Sequence, residues 1–338
     1  MKIALLGSKG TTLDLLHAIT TGRDFDIDLV VTLPEPIANR NRVAYYSGHE
    51  LVEYCRAHGV PVHAVRSYDL KDRADLEFFQ KAAIDLLLVI GWERLLPAEV
   101  LLSLGKFACG MHGSSYGLPK GRGRSPLNWS ILTEQNRFIT YLFRYSPSVD
   151  NGSIIGFKVF DINPFDTIAT LHLKNRIAMY HLLRTYVPLI AADKAVYWPQ
   201  PPEQVTFYPK RNPEDGLIDW TQRTLQVYNL IRAVAPPYPP AYCFHQGKTL
   251  YITEAYPFES TMFHSSIAPG TVVDVSLSLG CFVAKTADGT LLVKKFEGVS
   301  VDEINVGDVL EGGCQAEILR RIAQRYHEGV TDEEKEIR

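Results

Sequence analysis

The sequence predicts an α/β fold: a Rossmann-like, mostly parallel sheet with helices on both faces, followed by a small β-barrel of OB-like build. Three observations predict it. Short apolar runs alternate with helix-period segments from Lys2 to Trp92. A cluster of prolines, Pro199, Pro201 and Pro202, then interrupts the chain. Beyond it lie short runs rich in Val, Tyr and Phe that read as strands. Alternating strand and helix implies a parallel sheet covered on both sides, and right-handed crossovers give the doubly wound layout.

KIALLG (2–7) reads as the first strand, and the segment after it places Leu13, Leu16 and Ile19 at helical spacing. FDIDLVVTLP (25–34), VPVHAV (60–65) and DLLLVIGW (85–92) read as the next three strands, with helices over 49–59 and 75–84 between them. No G-x-G-x-x-G follows the first strand, so a dinucleotide is not expected there. Ligands of such sheets bind at the carboxyl ends of strands, which puts Gly91 and Trp92 in a favoured place.

Residues 109–130, CGMHGSSYGLPKGRGRSPLNWS, carry Gly and Pro at a density that marks a loop. Loops held by a rigid scaffold often bear catalytic groups. Next come a helix (126–135), a strand (140–147), the Ser-Val-Asp-Asn-Gly turn, a strand (153–162) and a helical stretch (166–193). The Asn-Gly pair is a hairpin signal that sets Asp150 between two strands. Pro-rich YWPQPPEQ cannot continue a helix, so the expected division is 1–196, a linker over 197–207, and a β-rich domain over 208–338. In the last, KTLYITEAY, GTVVDVS and CFVAKTADGTLLVKKF read as strands, with ADGT as a hairpin turn.

The chain has 338 residues, 46% hydrophobic and 22% charged, with a net charge of −3. That length suggests two domains. The charge argues against nucleic acid as the main partner, because phosphate binding needs clustered Lys and Arg. Five cysteines without a C-x-x-C pair read as reduced thiols in a cytoplasmic protein. No run reaches membrane-spanning length, and no metal constellation appears.

His-Gly-Ser (112–114) and Leu-Pro-Lys-Gly-Arg-Gly-Arg-Ser-Pro-Leu-Asn-Trp (118–129) resemble the active-site segment of the 10-formyltetrahydrofolate-dependent formyltransferases, in the branch that acts on nucleotide-linked amino sugars. Met-tRNA formyltransferase is a more distant relative by these residues. The family pattern is Asn-x-His, then an Asp about forty residues later. This chain has Gly110-Met111-His112 and then Asp150, so the His and Asp match and the Asn does not. Downstream, Arg211 to Trp220, Ile231 to Val234 and Pro269 to Val272 resemble the family's C-terminal domain.

The resemblance implies formyl transfer from 10-formyltetrahydrofolate, a co-substrate, to the primary amine of a small acceptor, with no metal. His112 would be the acid/base and Asp150 its orienting carboxylate, chemistry that suits an imidazole near neutral pH. Ile90, Gly91, Trp92, Ser146 and Val149 would border the folate. Ser114, Ser115, Lys120, Arg122 and Arg124 would meet the acceptor, though the three cations read equally well as a solvated run. Trp92 reads as core or as pocket wall. With Gly110 in the Asn position, three outcomes stay open: Asn128, Ser114 or Ser115 replaces the oxyanion donor; the backbone N–H of Gly110 or Met111 serves; or the protein binds folate or nucleotide sugar without turnover. Met-tRNA as acceptor, water as acceptor, and a homodimer are further possibilities.

Overall fold

A computed structural model describes residues 1–146, 150–202 and 204–328. The chain opens with β1 (Ile3–Leu6), α1 (Gly10–Gly22), β2 (Leu29–Thr32), α2 (Glu35–Arg40), α3 (Gly48–Ala57), β3 (Val62–Ala64), α4 (Arg73–Lys81), β4 (Leu86–Val89) and α5 (Ala98–Leu102). It continues with β5 (Phe107–Ser114), β6 (Arg122–Gly123), α6 (Pro126–Leu132), β7 (Arg137–Arg144), β8 (Ile154–Asp161), α7 (Ile168–Ala191) and β9 (Phe207–Tyr208). The remainder holds α8 (Thr224–Ala233), β10 (Ala241–His245), β11 (Lys248–Pro257), β12 (Val272–Ser276), β13 (Cys281–Lys285), β14 (Thr290–Glu297) and α9 (Gln315–Glu328).

Seven strands form the first sheet in the order β3-β2-β1-β4-β5-β7-β8. The pairs from β3 through β5 are parallel, and β7 and β8 add antiparallel edges. Both faces of the central strands are buried, which is why IALL and LLLV are unbroken apolar runs. On one face Leu5 and Leu88 pack with Leu16, Leu51 and Leu183 from α1, α3 and α7. On the other Leu6, Val31 and Leu87 pack with Phe79 and Val100 from α4 and α5. Strand order reverses between β1 and β4, so a crevice opens at their carboxyl ends.

The second sheet has five antiparallel strands in the order β10-β11-β14-β13-β12. Its two edges are both met by one segment: Glu311 bridges Phe244 of β10, and Val309 bridges Thr271 beside β12. That closes the sheet toward the expected barrel, with Val227 and Ile231 of α8 packed into it. β10 follows the prolines at 236–240, where no strand was expected.

One expectation is corrected here. The stretch at 109–114 is not loop. It is the second half of β5, flanked by β4 on one side and β7 on the other. Cys109, Gly110, Gly113 and Ser114 look like turn residues, but small side chains fit a strand crowded by aromatic neighbours. In the segment expected as a linker, Trp198 meets the edge of the first sheet, its carbonyl accepting from the Ile154 N–H at 2.7 Å, and Thr206 Oγ1 accepts from the Gly121 N–H at 2.9 Å.

Candidate active site

His112 takes its position from β5. Its ring Nε2 lies 2.9 Å from the Gly121 carbonyl. A carbonyl only accepts, so Nε2 carries the proton in that bond. Nδ1 then faces Oδ2 of Asp150 at 3.4 Å. That gap is long for a direct hydrogen bond. Asp150 itself adopts φ of +48°, a left-handed conformation that Asp tolerates better than most residues.

A cluster of contacts holds the Asp150 turn. Arg122 is buried, and its Nη2 donates to Asn151 Oδ1 at 2.8 Å and to Gln200 Oε1 at 2.5 Å. Gln200 Nε2 in turn donates to the Asp150 carbonyl at 2.5 Å and the Gly152 carbonyl at 3.1 Å. Burial holds the Arg122 guanidinium below its usual range, opposed by the attraction of Asp150. The Arg122 N–H donates to the Thr206 carbonyl at 3.0 Å, which ties β6 to β9.

His112 and Asp150 border a cleft of about 980 Å³. One wall is the carboxyl end of β4, Val89 through Leu95. Phe143, Tyr145 and Met179 supply apolar surface, and Tyr208, Lys210 and Arg325 close it from the C-terminal half. No described residue bonds the N–H or C=O of Gly91 or Trp92, so this strand end offers free backbone donors and acceptors. Glu93 sits among cations. Burial alone would raise its carboxyl, but Lys9, Arg124 and Arg94 together hold it below the usual carboxylate range. A smaller cavity of about 180 Å³ lies on the other side of His112, among Asn128, Thr140, His172, Asn175 and Tyr238.

The structure brings Ile90, Gly91, Trp92, Gly110, His112, Arg124 and Asp150 to the cleft. Trp92 is at the same time core, edge-on to Tyr68 with ring centres 4.8 Å apart. Ser146 and Lys120 do not line it, and Val149 lies outside the described residues. Three expected acceptor contacts are corrected. Arg122 is buried beneath Asp150 rather than facing the cleft. Ser114 is fully buried, and its Oγ accepts from the Tyr116 N–H at 3.1 Å. Ser115 donates to Ser130 Oγ at 2.6 Å in the interior. Ser114 is directed by strand β5, Ser115 by its bond to Ser130 of α6, and Arg122 by the pairing of β6 with β9.

Asn128, weighed as a replacement donor, is also held: its Nδ2 donates to the Ala233 carbonyl at 2.7 Å, joining α6 to α8. At Gly110, a Cβ would lie 2.6 and 2.8 Å from ring carbons of Tyr145. Tyr145 thus occupies the space next to the position where the family pattern places Asn. Sequence reading missed Tyr145, Lys9, Glu93, Lys210 and Arg325. The first stood in an apolar strand, Glu93 lies just past the end of β4, Lys9 pairs with Glu93, and Lys210 and Arg325 reach the cleft from the C-terminal half through tertiary packing. Among the described residues no group of His, Cys, Asp or Glu is arranged to hold a metal, and no helix is long and apolar enough to cross a membrane.

The fold and its crevice define the class: an α/β enzyme scaffold with a ligand cleft at the sheet's switch point. Residues 210–312 match the family described as formyl transferase, C-terminal domain. The chain is 26% identical over 312 residues to a methionyl-tRNA formyltransferase of Streptococcus sanguinis, covering 92% of this chain and 96% of that one. An N-formyltransferase of Helicobacter canadensis, solved with folinic acid and dTDP-3-aminofucose, superposes with TM-score 0.63 at 16% identity, covering 88% of this chain and all of that one. HypX of Aquifex aeolicus with tetrahydrofolic acid superposes with TM-score 0.62 at 17% identity; the match takes in 96% of this chain but 48% of HypX. Residues 210–312 thus carry the C-terminal domain of formyl transferases, and the similarity to a methionyl-tRNA formyltransferase along 92% of the chain points to an enzyme that moves formyl groups.

Proposed function

We propose that the protein transfers the formyl group of 10-formyltetrahydrofolate to the primary amine of a small acceptor, a nucleotide-linked amino sugar. The observation that carries this reading is the single cleft that holds His112 and Asp150 beside the free backbone edge at Gly91 and Trp92. The residues present fit a folate. A flat heterocycle with several donors and acceptors suits that edge, and Phe143 and Met179 offer it apolar contact. When bound, the co-substrate supplies an activated formyl carbon.

The attacking amine must lose a proton. Nδ1 of His112 and Oδ2 of Asp150 are the two groups facing that point, with Nε2 anchored on Gly121. The Gly121 carbonyl orients the ring, and the Asp150 carboxylate offsets the charge the ring gains. The same ring then returns the proton to the departing folate nitrogen. Arg94, Arg124, Lys210 and Arg325 line the same cleft, which suits an acceptor carrying phosphates. The nucleotide sugar named with the Helicobacter canadensis protein is in keeping with this.

A second reading, Met-tRNA as acceptor, is favoured by the end-to-end match with the Streptococcus sanguinis protein. Consumption of 10-formyltetrahydrofolate by the purified protein, with dTDP-linked amino sugars, with methionyl-tRNA and with neither, separates the two. Loss that depends on the sugar is expected. Loss that depends on tRNA selects the second reading, and loss without any amine identifies a hydrolase.

A further inference from the structure

Formyl transfer leaves one requirement without an owner. As the amine attacks, the formyl oxygen takes up negative charge and needs a hydrogen-bond donor in place beforehand. The backbone of Gly110 is not free for this. The Tyr145 N–H donates to the Ala108 carbonyl at 2.7 Å. In an antiparallel ladder bonded pairs alternate, so Gly110 and Phe143 form the next one and the Gly110 N–H is spent. Ser114 and Ser115 face the interior, and Asn128 is engaged with Ala233.

Tyr145 remains. Pairing with Ala108 sets it on the face of the sheet that also carries Gly110 and His112. It lies diagonal to Gly110, and its ring stacks on Phe143 with centres 6.2 Å apart. The fit between residues 110 and 145 is mutual: any side chain at 110 would meet the Tyr145 ring. The ring lines the same cleft as His112 and Asp150, and no described residue bonds its hydroxyl. Burial, with the Asp150 carboxylate nearby, raises the phenol far above neutral pH, so it keeps its proton.

We propose that the Tyr145 O–H is the donor to the formyl oxygen, standing in for the side chain that position 110 lacks. The inference rests on the formyl-transfer reading above. In the step, the amine nitrogen bonds to the formyl carbon and the C=O π pair moves onto oxygen. That oxyanion accepts the Tyr145 hydrogen bond without taking its proton. Collapse restores the C=O bond and breaks the bond to the folate nitrogen, which takes the proton that the amine gave to His112.

The test is 10-formyltetrahydrofolate turnover by wild type and Tyr145→Phe over a panel of dTDP-linked amino sugars and methionyl-tRNA, with melting temperatures of both. Tyr145→Phe keeps the ring and its packing. Its kcat is expected to fall by roughly 10²–10³, as for loss of one such donor elsewhere, with KM for the folate little changed. In a Tyr145→Ala background, Gly110→Asn is expected to recover activity, because the ring that excluded the amide is gone. Undiminished kcat in Tyr145→Phe, or a loss confined to KM, overturns the assignment while transfer itself stands. A wild type that turns over nothing in the panel overturns both.

Discussion

Oδ2 of Asp150 stands 3.4 Å from Nδ1 of His112, although one residue ends a hairpin turn and the other sits inside a strand. The separation is set from both sides. Gly121 fixes the far edge of the ring, and Gln200 fixes the backbone of Asp150.

Removing either member should disable transfer while sparing the cleft. His112→Gln and Asp150→Asn are each expected to lower kcat by roughly 10²–10⁴, the usual worth of a positioned acid/base. Calorimetric affinity for folinic acid should change little in both. A His112→Gln enzyme with near-normal kcat would show that proton transfer runs elsewhere.

Arg122 makes a sharper case, because sequence and structure assign it different work. As a phosphate contact its loss would raise KM for the acceptor. Buried against Asn151 and Gln200, it supports the Asp150 turn instead. Arg122→Met should therefore lower kcat, by about 10²-fold if the carboxylate shifts by about 1 Å, and lower the melting temperature too. Arg122→Lys should not rescue it, since one ammonium cannot reproduce the planar fork. A change in acceptor KM alone would return Arg122 to substrate binding.

Much of this was legible from residue order. The apolar runs of β1, β2 and β4 fixed the parallel sheet because strands buried on both faces must be apolar throughout. His112 and Asp150 stood out by their flanks. The direction of each side chain was not legible. Ser114 and Arg122 differ from Arg124 only in which way the backbone turns, and β-ladder pairing decides that. Tyr145 was hidden because an aromatic residue in TYLFRY is indistinguishable from core until Gly110 is seen diagonal to it. Lys210 and Arg325 belong to the other half of the chain, and no local pattern brings them to the cleft.

The free strand end depends on Gly91, whose φ is +73°. A Cβ there would lie 2.6 Å from Thr12 Oγ1, the hydroxyl that donates to the Ile90 carbonyl at 2.7 Å. Gly91→Ala is expected to cost about 1–2 kcal/mol from the left-handed backbone alone. It should also weaken folinic acid binding by displacing the edge that meets it. Urea unfolding and calorimetric titration read the two effects separately. An unchanged affinity would remove this strand end from the folate site.

Asp219, in the Ile-Asp-Trp segment, bears on stability rather than chemistry. It is buried, accepts from Thr221 Oγ1 at 2.5 Å and from Gln222 Nε2 at 3.0 Å, and takes the Gln315 N–H at the start of α9 at 2.8 Å. Burial would raise its carboxyl, but these bonds outweigh that and hold it below the usual range. A carboxyl depressed on folding adds stability that is fully present above the unfolded pKa, about 3.9, and is lost as pH falls through the folded value. Asp219→Asn should therefore cost about 2 kcal/mol at pH 7, the worth of a hydrogen bond to a charged group. Because α9 places Arg325 on the cleft wall, the variant should also bind acceptor more weakly. The stability gap between variant and wild type should narrow steadily as pH drops below about 4. A gap that stays constant down to the acid transition would show that the Asp219 charge contributes nothing, and that only its shape is needed.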